Sequence, residues 1–404
     1  MKAFILAAGK GTRMRPLTEK TPKPLLPVAG KPIIQHLIDN VETKVEEIII
    51  LIGWKGEKIK ENVSSDEAEL RFEEQEELAG TADAVSYAED FVEEKFVCLN
   101  GDVIIPQSAL HEFIDFFSKT EDCVVGTAEV DDPENYGVVR TEDGKVNELV
   151  EKPEEPETDT VNSGLYGFTR KIFEAIDETE RSPRGEFEIT DSLQKLIEAS
   201  GVRAFDIERW HELSRPWDLL SVNEKIMDDN LEKNLKGNIE DNVHIEGGVH
   251  ISEGAAVKEG AYIKGPAYIG KDAQIGPNCL VRPSTHIGKG CKVGNAVEVK
   301  NSIIMEGTQI PHHNYVGDSV VGKDCNFGSG SKVANLRLDD KNIVVVHRDE
   351  KIDTGRRKLG VIMGDEVKTG INSMMNPGTI VWRGCFIGPG ALAESEIGAK
   401  SKIK

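Results

Sequence analysis

Three groups of residues have types and spacings suited to chemistry. Near the amino terminus, Gly9 and Gly11 make a Gly-x-Gly step just after the strand-like run AFILA, with Arg13, Arg15 and Lys23 clustered behind it. Such a step lets backbone N–H groups approach phosphate oxygens while nearby side chains supply positive charge. It is neither a P-loop, which needs G-x-x-x-x-G-K-[ST], nor the dinucleotide G-x-G-x-x-G, because Met14 stands three residues beyond Gly11. Asp102 closes a second apolar run, FVCLNGD, and in an open α/β sheet ligands gather at the carboxyl ends of strands. Much later, Arg282 and Lys300 lie 18 residues apart. If three hexads make one coil, these two cations stack about 4.8 Å apart, and they repel unless an anion lies between them.

The elements that must position these groups change character midway. From Lys2 to about Asp218, short apolar runs alternate with helix-period segments, which predicts an α/β domain around a sheet of mainly parallel strands. A helical segment, WDLLSVNEKIMDDNLEKNL, follows. Beyond Gly237, Ile or Val recurs at every sixth position: Ile239, Ile245, Ile251, Val257, Ile263, Ile269, Ile275, Val281, Ile287, Val293 and Val299. Such hexapeptides wind a parallel β-helix, each hexad forming one side of a triangular coil with its β-branched residue inward. The expected domains are therefore 1–228, a helical linker end at 229–237, and a solenoid over 238–404. The phase slips after Val299 and resumes at Tyr315, Val321, Phe327 and Val333, which places Tyr315 in the inward phase. Residues 336–360 leave the repeat and read as a projecting loop.

Composition excludes other classes. With 49 Lys+Arg against 71 Asp+Glu, the net charge of −22 repels nucleic acid and anionic lipid. No apolar run approaches bilayer length. Six cysteines without a C-x-x-C pair fit neither a disulfide framework nor a zinc site, and the amino-terminal MKAFILAAGKG lacks a signal-peptide pattern, so a cytoplasmic location is expected.

The motif L-A-A-G-x-G-T-R-M-x-P, followed by P-K-P-L-x-P-V-x-G-K-P, resembles the signature of sugar-1-phosphate nucleotidylyltransferases. With the hexapeptide tail, the chain is similar to bifunctional enzymes of the N-acetylglucosamine-1-phosphate uridylyltransferase/glucosamine-1-phosphate acetyltransferase type, in an archaeal-like form. Gln75, Gly80-Thr81-Ala82, Asn100-Gly101-Asp102, Tyr136-Gly137, Glu151-Lys152-Pro153 and Asn162-Ser163-Gly164 follow in the family's order. The resemblance implies a Rossmann-like nucleotidyltransferase domain followed by a left-handed parallel β-helix of hexapeptide repeats.

It also implies roles. Leu6, Ala7, Ala8, Gly9, Gln75, Gly80 and Thr81 would hold the nucleobase, and Gly11, Thr12, Arg13 and Lys23 would meet the phosphates, Arg13 and Lys23 as catalytic cations. Gly137, Glu151 and Asn162 would hold the sugar. Asp102 would bind Mg²⁺ together with Glu212, which stands where relatives carry Asp or Asn; Glu is one methylene longer, so its contact with an ion that demands octahedral geometry would be shifted or water-mediated. On the solenoid, His312 would be the general base that deprotonates the sugar amine as it attacks acetyl-CoA, a task suited to an imidazole. Arg282 and Lys300 would hold the sugar phosphate, while Tyr315, Asn326, Asn335 and Lys341 would shape the acceptor site. Arg356-Arg357-Lys358 reads first as a solvated basic cluster and, as the alternative, as a contact for the 3′-phosphate of coenzyme A.

The implied function is acetylation of glucosamine-1-phosphate, then nucleotidyl transfer from UTP or dTTP to N-acetylglucosamine-1-phosphate or glucose-1-phosphate, by a homotrimer whose partners are small molecules. The alternatives are a monofunctional thymidylyl- or uridylyltransferase with an oligomerising or regulatory β-helix, and a non-catalytic regulatory subunit. A β-helix carbonic anhydrase is set aside because no three His fall on neighbouring coils.

Overall fold

The computed structural model describes residues 1–404. Its contacts divide the chain into two units: Met1–Lys10, Pro22–Leu25 and Pro32–Glu212 in the first, and Gly11–Thr21, Leu26–Lys31 and Leu213–Lys404 in the second. This division and the change of period at Gly237 fall at different places for a local reason. Asn223, wholly buried on the helix Asp218–Asn230, accepts from Ala29 N–H (2.9 Å) and donates to the Ser284 carbonyl (2.9 Å), so this helix packs with the repeats that follow it.

In the first unit nine strands form one sheet: β1 (Lys2–Ala7), β2 (Glu47–Ile52), β3 (Glu69–Glu74), β4 (Lys95–Asn100), β5 (Cys123–Glu129), β6 (Gly137–Glu142), β7 (Lys145–Glu151), β8 (Thr160–Thr169) and β9 (Val202–Asp206), in the order β3-β2-β1-β4-β8-β5-β9-β7-β6. The half from β3 to β4 is parallel. Beyond it the sheet is mixed while most strands keep one direction: β9 runs parallel to β5, whereas β8 runs antiparallel to β4 and β5, and β7 antiparallel to β9 and β6. Part of the reason is a hairpin whose turn residues Asp143 (φ 50°) and Gly144 (φ 71°) are both left-handed, the Asp-Gly signature of a two-residue turn. Burial on both faces explains the continuous apolar strands: Phe4, Ile49 and Leu51 join one core cluster, and Ala3, Ile5, Ile48 and Ile50 the other.

In the second unit, parallel ladders of short strands make a three-faced parallel β-helix. The first face runs from Asn234–Leu235 to Glu396–Ile397, the second includes Lys292–Asn295 and Gln309–His312, and the third includes Leu280–Val281, Glu298–Lys300, Tyr315–Gly317 and Lys332–Val333. The hexad residues Val257 to Val299 are wholly buried and pair at 18-residue steps, as in Val257 with Ile275 and Val281 with Val299.

After Val299 the coil shortens. Val299 pairs with Val316 and Ile304 with Val321, and Val316, not Tyr315, enters the core. The inward assignment of Tyr315 is thus off by one. Each shortened corner leads from the third face to the first, with only Lys300–Ile303 between Val299 and Ile304, and Gly317–Val320 between Val316 and Val321; Asn301 (φ 44°) and Asp318 (φ 50°) make the two turns. Elsewhere on the first face, rings 18 residues apart stack: His250 on Tyr268 at 5.0 Å and Tyr268 on His286 at 5.1 Å. The 336–360 excursion contains an antiparallel hairpin, Val344–His347 with Glu350–Asp353, is closed by a Leu336–Lys358 bridge, and returns to the first face at Val361–Met363. No helix in the protein is long and apolar enough to cross a membrane.

Two candidate active sites

In the first unit the turn after β4 carries Asp102. Gly101 donates its N–H to the Leu6 carbonyl (2.9 Å), and a Cβ there would lie 2.6 Å from that oxygen, so only glycine lets the turn rest against the end of β1, where Leu6–Gly9 lie. Immediately after Asp102, Val103–Ile104 pairs antiparallel with His211–Glu212, Glu212 opposite Val103. This two-residue ribbon brings the backbones of Asp102 and Glu212 to one place across more than a hundred residues of sequence. The Lys23 ammonium, only 10% exposed, ion-pairs with Asp102 Oδ2. No group of three or more His, Cys, Asp or Glu assembles here. Asp102 and Glu212 offer carboxylate oxygens, the ligand type a hard cation such as Mg²⁺ takes, and such an ion completes its shell with waters and substrate phosphates.

Past the end of β3, Gln75 is buried (5% exposed) and its amide donates to Asp83 (2.7 Å), although its acidic run EEQEEL reads equally as surface. Gly80 has φ 133° and lies against the Phe187 backbone, where a Cβ would approach within 2.3 Å; Thr81 Oγ1 accepts from Ile189 N–H (2.9 Å). Gly137 pairs with Glu151 across the β6–β7 ladder. The Asn162 amide donates to the Tyr166 hydroxyl (2.8 Å), and its Oδ1 accepts from Gly164 N–H (3.1 Å). Burial of Tyr166 pushes its phenol ionisation up.

Sequence reasoning missed Arg184, whose guanidinium spans Glu151 (3.0 Å) and Glu188 (2.8 Å). Burial pushes the Glu188 carboxyl up, opposed by Arg184. It also missed Trp210, which donates to the Ser163 carbonyl (2.7 Å) and meets Tyr136 edge-on at 5.7 Å. Gly11, Thr12 and Arg13 belong to the second unit: Gly11 takes φ 57°, Thr12–Met14 forms a 3-10 turn anchored by buried Met14, and Thr18 Oγ1 donates to the Gly11 carbonyl (2.7 Å).

On the solenoid, coil stacking brings a set together on the third face and its corner. Arg282 N–H bonds the Val299 carbonyl, so Arg282 and Lys300 occupy the same register on adjacent coils. The Arg282 guanidinium reaches Glu298 (2.9 Å), and Lys300 reaches Asp318 (3.0 Å). The Asn335 amide donates to the Tyr315 hydroxyl (3.2 Å) and to Asp318. His312 ends a strand of the second face, three residues before Tyr315 opens the third. Asn326 bridges Gln309 and Lys368 on the second face, Lys341 lies in the excursion, and neither side chain bonds to the cluster around Asp318. Arg356 is engaged by Glu224 (2.5 Å) and Ser221 (2.5 Å), and Arg357 by Asp340 (2.7 Å), so two of the three basic residues at 356–358 hold intramolecular bonds.

A nucleotidyl transferase family model matches residues 2–229, and the C-terminal domain described as GMPPB matches 263–381. A bifunctional protein GlmU from Methanocaldococcus jannaschii is 45% identical over 98% of this chain and 96% of its own length. A bifunctional sugar-1-phosphate nucleotidylyltransferase/acetyltransferase from Sulfurisphaera tokodaii is 37% identical, covering 98% of each chain. Among solved structures, a UDP-glucose pyrophosphorylase complexed with UDP-glucose covers 57% of this chain and 99% of its own with a TM-score of 0.53 at 23% identity, a likeness of fold.

Proposed function

From the premise that the chain belongs to the nucleotidyl transferase family, in its bifunctional sugar-1-phosphate nucleotidylyltransferase/acetyltransferase branch, we propose which residues serve each transfer. The protein is an enzyme with two activities. In the first, the solenoid acetylates glucosamine-1-phosphate from acetyl-CoA; in the second, a nucleotidyl group passes from UTP or dTTP to N-acetylglucosamine-1-phosphate or glucose-1-phosphate, releasing pyrophosphate.

For nucleotidyl transfer, the sugar phosphate oxygen attacks the α-phosphorus in line and pyrophosphate leaves, so catalysis is positioning and charge neutralisation. Leu6–Gly9, buried Gln75 and Gly80-Thr81 bind the base, while Gly11, Thr12, Arg13 and Lys23 meet the phosphates. Gly137, Glu151 and Asn162 orient the sugar, Glu151 being held by Arg184. Asp102 and Glu212 would hold Mg²⁺, which draws charge from the phosphates when bound.

For acetyl transfer, Arg282 and Lys300 hold the phosphate, and Tyr315, Asn326, Asn335 and Lys341 line the acceptor site. His312 takes the amine proton as nitrogen attacks the thioester carbonyl and coenzyme A departs as the thiol. The observation that carries this half is the convergence of Arg282, Lys300, Tyr315 and Asn335 from successive coils.

A left-handed winding, a homotrimer with acetyl-CoA between neighbouring solenoids, and a cytoplasmic location complete the proposal. Six buried, unpaired cysteines support the location. The purified protein is incubated with acetyl-CoA and glucosamine-1-phosphate and scored for free thiol, then with UTP or dTTP and scored for pyrophosphate. Both signals are expected; pyrophosphate without thiol would leave a nucleotidylyltransferase whose solenoid has another use.

A further inference from the structure

We propose that Asp318 is the positioning residue of the acetyl-acceptor site: its buried carboxylate fixes Lys300 to receive the sugar phosphate and fixes Asn335, and through it Tyr315, to receive the sugar. This rests on reading the third face as the acceptor site. Asp318 belongs to none of the residue sets above, because its role is set by a corner rather than by the repeat.

The geometry starts from the two shortened corners. Dropping one residue between Val299 and Ile304, and again between Val316 and Val321, stacks Asp318 one coil beyond Lys300 and Asn301, its N–H bonded to the Lys300 carbonyl (2.9 Å). Its side chain is 3% exposed, so the carboxylate must be satisfied from within. Three donors from two other coils do so: Asn301 on Oδ1 (2.8 Å), and Lys300 (3.0 Å) and Asn335 on Oδ2. The turn is pinned further by Gly360 N–H on the Asp318 carbonyl (2.7 Å).

Proton inventory gives the consequence. An ionised Asp can only accept, so the Asn335 group facing it must be the NH₂. The same NH₂ reaches the Tyr315 oxygen (3.2 Å). That leaves the Asn335 carbonyl oxygen as an acceptor and the Tyr315 hydroxyl as a donor for substrate. The Lys300 ammonium spends one N–H on Asp318 and keeps two for phosphate. The other cation differs: Arg282 and its partner Glu298 are 43% and 34% exposed, a pair that phosphate can exchange without unburying a charge. Lys300 is therefore the fixed member of the phosphate grip and Arg282 the adjustable one.

Asp318→Asn is the decisive variant. Asn accepts left-handed backbone as readily as Asp, so the corner keeps its shape; but an amide can donate, which permits Asn335 to flip and removes the charge facing Lys300. The expected result is a KM for glucosamine-1-phosphate raised about tenfold or more, with kcat within about threefold, KM for acetyl-CoA unchanged and the melting temperature retained. If Asp318 acts through Lys300, adding Asp318→Asn to Lys300→Met raises KM less than the two single effects combined. An unchanged KM in Asp318→Asn, full additivity in the double variant, or equal losses for both substrates with a lowered melting temperature would overturn the proposal.

Calorimetric binding of glucosamine-1-phosphate to the full-length wild type and to Asp318→Asn separates this from the underlying reading. Weakened binding in the variant supports the positioning role even if wild type transfers no acetyl group, whereas unaltered binding beside active wild-type transfer refutes Asp318 and leaves the reading intact.

Discussion

The α/β unit and the solenoid bring cations and carboxylates together by opposite means. In the first, Asp102 and Glu212 meet because a two-residue ribbon joins segments distant in sequence, and each contact is made once. In the second, a translation repeated every 17 or 18 residues stacks Arg282 over Lys300 and Tyr315 over Lys332, three residues before Asn335. Irregular chain can place one group anywhere at the cost of special backbone at each step; a repeat places many groups at little cost but only along a grid. The cluster of Lys300, Asp318, Tyr315 and Asn335 forms where the grid is broken, at the two shortened corners.

The comparison breaks most sharply if one region's loss carries the other's activity with it. Asp102→Ala should reduce nucleotidyl transfer by about a thousandfold and leave acetyl transfer within about twofold, read as pyrophosphate and free thiol from one preparation; a parallel fall in thiol release would show a shared site. A smaller effect probes the special backbone. Gly80→Ala places a methyl against the Phe187 backbone at φ 133°, a strain of about 1–3 kcal/mol, and should cost nucleotidyl transfer about tenfold or more with acetyl transfer unaltered.

The smallest effect concerns the ring ladder. Burial pushes the His286 imidazole down to about 4, and its Nδ1 accepts from Gly30 N–H (3.2 Å) in the neutral form. Because the folded value lies below the unfolded one of about 6.5, the unfolded chain binds more protons between them. The stability His286 contributes is full above about pH 6.5 and lost as pH falls toward 4. Melting temperatures over this range should fall less steeply for His286→Gln than for wild type; identical slopes would remove the effect.

What could be read in the sequence follows the same contrast. The hexads gave the inward residues up to Val299 and the adjacency of Arg282 and Lys300, because a period is visible without any partner. Once the corners shortened, the period misassigned Tyr315 by one residue and hid Asp318, whose partners are set by a turn. In the first unit the apolar runs announced strands, but not that β8 would enter antiparallel between β4 and β5, since burial on both faces looks alike in either direction. Asp143-Gly144 did carry a hairpin signal that the alternation obscured. Gln75 was ambiguous because its neighbours are exposed Glu residues, while the strand end that buries it comes from tertiary pairing with Ile52. The sequence carried no sign that Glu212 pairs with Val103, because a two-residue ribbon has no pattern of its own.

The most direct test of two separately built sites is the full-length His312→Ala protein, assayed in one preparation for thiol release from acetyl-CoA and pyrophosphate release from UTP. The account predicts thiol release lower by a factor of about 10² to 10⁴, with pyrophosphate release within about twofold of wild type. Thiol release at the wild-type rate, or loss of both products from a folded protein, would contradict it.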